Sequence, residues 1–494
     1  MNKKYKLPHR YKLLITPVLI VFSLLALLPT SCTCNCTPEG DIFGGGYRPD
    51  LLINHNRLVF TSSRDGNEQG DIYMTDLDGQ NLVKINDDPL FGYRTVWSPT
   101  GKRIAFITRA ETSGIEPTTT LHIVDDGGNS VVAIEGFPSE FSQFDWSPDG
   151  KTLAFYYPSN DDNTFDLYTV DSDGIDFNAI ATVPGRNVEN ISWSPDSAKI
   201  LFVSDQIENH NNNIIRVVDS DGSNLIAIDD AQRYGFESAW SPDSGKIAYI
   251  KSDNDSGGDI SDIYIANADG TGRINITNGD YGRAMRVSWS SDGQKITFQA
   301  LSSASQMDPP DSYRVNADGT GLTKTTSTIN GESAYEIMPS PDGKRTLLAV
   351  IDDETTTEYL IYLADADGRN PVRIMENVQE YISGYTWAPN SSKFAYSTRG
   401  HDVDNPDGRD TNAHNIYVVN ADGTGLVELA SVTTDGNSYS SGPGWFVWSP
   451  DSTRIIFPNT IDDNLDIFSV RADGTGLVNI TNSPGSDWGP ILPR

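Results

Sequence analysis

Trp146-Ser147-Pro148-Asp149-Gly150-Lys151-Thr152-Leu153-Ala154-Phe155 decides the fold, because its opening words recur along the chain. The same mark stands at Trp97-Ser98-Pro99-Thr100-Gly101, Trp193-Ser194-Pro195-Asp196 and Trp240-Ser241-Pro242-Asp243. It continues at Trp289-Ser290-Ser291-Asp292-Gly293, Met338-Pro339-Ser340-Pro341-Asp342-Gly343, Trp387-Ala388-Pro389-Asn390 and Trp448-Ser449-Pro450-Asp451, and Trp488-Gly489-Pro490 closes the series. Counted from Met338 in the sixth mark, the intervals are 49, 47, 47, 49, 49, 49, 61 and 40 residues. A sustained period of this size is the signature of a repeat architecture.

Working outward from each mark, the same grammar returns. A basic residue leads into a short apolar strand, as in Lys246-Ile247-Ala248-Tyr249. A polar loop of variable length precedes a second strand, such as Asp262-Ile263-Tyr264-Ile265. A tight turn, Ala268-Asp269-Gly270-Thr271-Gly272, opens a third, and a fourth runs into the next mark. Asp-Gly and Pro-Asp-Gly are hairpin signals because glycine takes positive φ without steric cost. The strands are β-branched and aromatic, with no competing helical period. The fold class predicted is therefore all-β: one β-propeller of four-stranded antiparallel blades, with nine repeat units in an eight- or nine-bladed ring. The first unit opens at Arg57-Leu58-Val59-Phe60 without a mark, and the last mark, around Trp488, has no unit of its own. The C-terminal strand is predicted to complete the first blade and close the ring.

The chain has 494 residues, 36 Lys plus Arg against 68 Asp plus Glu, and a net charge of −32. That balance excludes nucleic acid as a partner and electrostatic docking on an anionic membrane. Residues 1–31 carry five bases and no acid, and the apolar run Leu13 to Leu28 suits the core of a signal peptide. The boundaries predicted are a signal peptide at 1–31, a flexible tether at 32–50 and the propeller at 51–494. Cys32, Cys34 and Cys36 are the only cysteines. Thr30-Ser31-Cys32 resembles the lipobox of bacterial lipoproteins, which implies lipid attachment at Cys32; ordinary cleavage and an uncleaved anchor are the alternatives. The location expected is the bacterial cell envelope, periplasm or cell surface, with membrane contact only through the lipid.

The repeat resembles the WD-repeat-like units of TolB-like propellers, which also occur in the propellers of dipeptidyl peptidase IV-type and tricorn-type peptidases. The resemblance covers roughly residues 51–494 and specifies fold far better than function. Some TolB-like propellers are lyases that use a channel metal held by His and Gln. Here no Gly-x-Ser-x-Gly, His-Glu-x-x-His or phosphate loop is present, and six histidines are scattered at 9, 55, 122, 210, 401 and 414. No catalytic residue is assigned. The function expected is a non-catalytic, monomeric binder of an envelope or extracellular protein, peptide or glycan through its variable acidic loop face. The alternative is a polysaccharide lyase or hydrolase with a metal in the channel.

Two places are expected to carry recognition. The residues three before each mark face the channel if strand alternation holds, and Arg94, Gln143, Asn190, Glu237, Arg286, Tyr335 and Trp445 are the candidates. The second is the variable loops. Asp402, Asp404 and Asp407 hint at a calcium loop, although Pro406 occupies the next ligand position. No other cofactor is expected. The marks themselves read as structural.

Overall fold

A computed structural model describes residues 3–6, 57–66, 70–86, 95–110, 118–137, 144–158, 164–184, 188–205, 212–232, 237–252 and 261–279. It also describes 283–301, 311–325, 327–329, 332–351, 359–366, 368–374, 380–400, 413–433, 446–461 and 464–491. Every element among them is a β-strand, apart from turns and bends. Nine four-stranded antiparallel blades follow one another along the chain, the fifth and sixth being joined into one eight-stranded sheet by a parallel bridge from Ser261 to Arg283. Blade I combines Asp487–Ile491 with Arg57–Ser62, Asp71–Asp76 and Val83–Lys84. Blades II to V begin with Thr95–Trp97, Phe144–Trp146, Val188–Trp193 and Ser238–Trp240. Blades VI to IX begin with Arg283–Trp289, Glu332–Pro339, Glu380–Trp387 and Val447–Trp448. The nine repeats are thus nine blades, the larger of the two ring sizes predicted. Two additions decorate them. Lys3–Lys6 lies parallel to the outer strand of blade II, and Ser327–Ile329 forms a hairpin with the first strand of blade VII.

The C-terminal strand completes the first blade as predicted. It pairs antiparallel with Arg57–Ser62, joining Ser62 to Asp487 and Val59 to Ile491. Ser63 N donates to Ser486 O at 2.9 Å. The Arg64 guanidinium binds the fully buried Asp487 carboxylate at 3.3 Å and lies over the rings of Phe60 and Tyr73. Apolar packing also runs from the last blade to the first: Ile456, Ile467 and Ile480 meet Leu58, Phe60, Tyr73 and Leu77.

The marks build the ring, each in two ways. Within a blade, the Ser147 hydroxyl donates to Asp149 at 2.7 Å and accepts from Thr152 N at 3.0 Å, so the turn satisfies its own polar groups. Between blades, six of the indoles donate to the backbone just before the preceding mark. Trp193 Nε1 reaches Asp145 O at 3.1 Å and Trp289 Nε1 reaches Ala239 O at 2.9 Å. Four marks carry serine in the left-handed position where others have glycine, for example Ser244 with φ of 61°. That serine bonds the neighbouring turn: Asp196 N donates to Ser244 Oγ at 3.0 Å. An inter-blade hydrogen bond therefore offsets the backbone strain. Bonds such as Ala268 N to Gly245 O tie the Ala-Asp-Gly turn to the mark turn of the same blade, so both constant turns share one face of the blade.

Blade VII corrects the register of its mark. Trp387 Nε1 donates to Met338 O, the bond that elsewhere goes to the residue before the tryptophan. Pro339, not Met338, therefore stands in the tryptophan's place, and the residue three before the mark is Glu336 rather than Tyr335.

Candidate functional site

The innermost strands do not run straight into their marks. Each of those in blades IV, VI, VII and VIII carries a β-bulge just before it, at Glu189/Ser192, Met285/Ser288, Glu336/Met338 and Ile382/Gly384. A bulge adds an unpaired residue and re-aims its side chain. The strict alternation expected for the channel residues fails there for this reason. In two blades the residue singled out three before the mark is the one bent: Asn190 has φ of 56° and Arg286 has φ of 56°. Asparagine tolerates this region; arginine adopts it rarely and at a cost.

Glu237 explains how Arg286 is held. It occupies the equivalent place in blade V, and its carboxylate accepts a hydrogen bond from Val287 N at 3.1 Å. Burial raises its pKa, against the opposing pull of the Val287 and Arg286 amides and of the arginine's charge. The carboxylate therefore caps the N–H groups of the neighbouring blade's bulge, as an anion sits in a backbone nest. With the backbone fixed in this way, the Arg286 side chain is exposed and forms no hydrogen bond or ion pair with a described residue. Its charge also bears on Tyr385 of blade VIII, whose phenol is pushed up chiefly by burial and pulled down by Arg286.

The other expected ring positions differ. Asn190 is exposed. Gly384 and Gly485 carry no side chain, and a Cβ at Gly485 would stand 2.7 Å from Ser63 C. Arg94, Gln143 and Trp445 lie outside the described residues, as do Cys32 and the loop candidates Asp402, Asp404 and Asp407. The side chain of Tyr335 is likewise not described. Among the described residues no group of three His, Cys, Asp or Glu side chains is placed to hold a metal. Tyr385 was missed in the sequence because it stands two, not three, before its mark.

Two other polar clusters are structural. Asp229 accepts bonds from the Tyr249 hydroxyl at 2.8 Å, Lys251 at 3.1 Å and Arg273 at 2.5 Å, and is buried between blades IV and V. Burial, and then the nearby Asp229 charge, push the Tyr249 phenol far above its ordinary value. The Asp-Gly-Thr-Gly turns hold their aspartates below the usual range through the threonine hydroxyl, as Thr271 does for Asp269 at 2.6 Å. These carboxylates serve their own turns.

Comparison with known proteins agrees with the architecture. Residues 52–209 match the family described as the TolB beta propeller domain. An uncharacterized protein of Agrobacterium fabrum is 29% identical over 151 residues, which is 31% of this chain and 44% of that protein. Dipeptidyl-peptidase 5 of Porphyromonas endodontalis is 30% identical over 114 residues, 23% of this chain and 15% of the peptidase. The chain therefore spans less than half the length of these curated relatives. A crystal structure of the eukaryotic initiation factor superposes with a TM-score of 0.57 at 13% identity, covering 88% of this chain and 97% of that one. At that identity the likeness concerns the fold alone. The family match over residues 52–209, and the same repeat continued from it to the C-terminal strand, show a β-propeller whose repeats are similar to those of the TolB beta propeller domain.

Proposed function

We infer that this protein is an exported, non-catalytic propeller, anchored through Cys32, that binds a carboxylate-bearing envelope or extracellular partner. The partner is a protein, peptide or glycan, held at Arg286 beside Glu237 and Tyr385. One observation carries this reading. An arginine in a chain of net charge −32 is held at a left-handed φ by its neighbour's carboxylate, with its guanidinium left exposed. Backbone strain that places an exposed cation without an ion pair among the described residues supports a site for an anion, and arginine's planar fork suits a carboxylate.

The test is titration of the full chain with a panel of acidic peptides and uronic-acid oligosaccharides, together with pull-down from the native envelope. Arg286→Gln is expected to weaken the best ligand by about tenfold or more, as loss of a charge-assisted pair should. Undiminished binding by Arg286→Gln would sink the site. Turnover of a glycan in the panel, rather than binding alone, would favour the lyase or hydrolase alternative. For the anchor, fatty-acid labelling is expected to vanish in Cys32→Ser; persistent labelling refutes it.

A further inference from the structure

We propose that the ring opens reversibly at one seam, between blades VI and VII, while its other eight seams stay shut. Eight seams share one construction. Each closes two apolar walls into a common cluster, as Ala248, Ile250, Ile263, Ile265 and Ile276 of blade V do against Ile296, Phe298 and Val315 of blade VI. The wall that blade VI turns toward blade VII replaces all five of those positions by Thr297, Gln299, Ser312, Arg314 and Thr325. Matching strand registers set the correspondence: Ala248 pairs with Ile265 as Thr297 pairs with Arg314, and Ile250 with Ile263 as Gln299 with Ser312. Ile276 N and Thr325 N donate to the carbonyls of Ile263 and Ser312 in the same way.

The consequences converge. The apolar wall of blade VII, with Ile329, Leu348, Val350, Leu360, Tyr362 and Ala364, forms a cluster of its own that includes no described residue of blade VI. Gln299 and Ser312 are buried, and the Thr325 hydroxyl is buried with no hydrogen-bond partner among the described residues. Pro339 supplies no indole to bond blade VI. The mark turn of blade VII has Gly343 where four other blades carry a bridging serine, and a Cβ there would meet nothing within 4 Å. Arg314 Nη2 donates to Ala366 O across the seam at 3.2 Å.

Opening this seam rehydrates the Thr325 hydroxyl, which is buried at a cost, and exposes one apolar wall. Opening any other seam exposes two, and at six of them breaks an indole bond as well. Unequal seams of this kind produce sub-global opening rather than uniform breathing. Arg286 lies on the innermost strand of blade VI, beside the seam, so opening widens the channel at that point. The proposal stands whether or not Arg286 binds a ligand.

Hydrogen exchange on the unsubstituted full chain is the first test. Peptides covering Lys295–Leu301 and Asp311–Asn316 are expected to exchange at least tenfold faster than Lys246–Ser252 and Ser261–Asn267 of blade V. Thiol labelling is the second, since the blades contain no cysteine. With Cys32, Cys34 and Cys36 replaced by serine, Ser312→Cys is expected to react at least tenfold faster than the equally buried Ser397→Cys. Its rate should not change with denaturant below the unfolding transition. Transplanting the blade V wall (Thr297→Ala, Gln299→Ile, Ser312→Ile, Arg314→Ile, Thr325→Ile) should return exchange in blade VI to the blade V level. Equal protection of the two blades, or labelling of Ser312→Cys only in step with global unfolding, overturns the proposal.

Discussion

Blade VI belongs to two seams and treats them oppositely. Toward blade V it offers Ile296, Phe298, Ala300 and Val315; toward blade VII it offers Thr297, Gln299, Ser312 and Arg314. The residues alternate along the same two strands, because successive side chains point to opposite faces of a sheet. A blade is therefore two independent surfaces, and a change of residue at every second position alters one seam while leaving the other intact. Strength around the ring is set seam by seam, not by the number of blades.

The comparison can be broken most severely at an intact seam. Trp193 is 1% exposed, fills the III–IV cluster and bonds Asp145 O. Trp193→Ala is expected to cost about 3–5 kcal/mol in urea unfolding, as large-to-small core changes do. Pro339→Ala, at the same place in the loose seam, should stay within about 1 kcal/mol. Equal losses would mean that the tryptophan bridge does not distinguish the seams.

The closing seam is held by an ion pair as well as by packing, and it should come next. Asp487→Ala leaves Arg64, nearly buried, without its carboxylate. A loss of about 3 kcal/mol is expected by thermal or urea unfolding, since the charge left behind is uncompensated. The turns that overlie the seams give a smaller effect. A Cβ at Gly222 would stand 2.7 Å from Ile180 O, and its φ is 86°. Gly222→Ala should lose about 2 kcal/mol from strain and crowding together. Ser244→Ala removes the bond from Asp196 N while keeping the left-handed backbone, for an expected loss of about 1 kcal/mol. Ser244→Gly should lose less, because glycine relieves the backbone.

The smallest effect concerns the site and pH. The Glu237 carboxyl is raised above its ordinary value, so the folded state binds its proton more tightly than the unfolded chain. Its contribution to stability therefore falls as pH climbs from the ordinary glutamate value to the raised one. Protonation also removes a negative charge beside Arg286. Affinity for an anionic ligand is expected to rise by about threefold as pH falls through that window. Glu237→Gln should abolish the dependence; a profile unchanged by that substitution refutes the coupling.

The constant parts of the fold were legible because they are local. Ser147 and Asp149 satisfy one another within a single turn, and Gly150 takes φ of 67° where its turn requires it. Such needs are met by neighbours in sequence, so they leave a recurring string. The closing strand was legible from counting, since a mark without a unit and a unit without a mark complete each other. The site was legible only in part. Asn190, Glu237 and Arg286 were picked out by position, but alternation could not foresee the bulges that re-aim Arg286 and Asn190. Tyr335 was miscounted because Met338 and Pro339 both stand where one mark residue was expected.

The sequence by itself determined the repeat, the four-strand blade, the turn chemistry and the nine units, because each rests on residues close together in the chain. Tertiary structure alone decided which register the sixth mark takes, which backbone Glu237 caps, and which wall faces which neighbour. Those contacts join residues about fifty apart, such as Glu237 with Val287 and Arg314 with Ala366. A polar residue at an alternate strand position reads the same whether it meets water or another blade. Only the packed ring shows that Gln299 and Ser312 meet a blade.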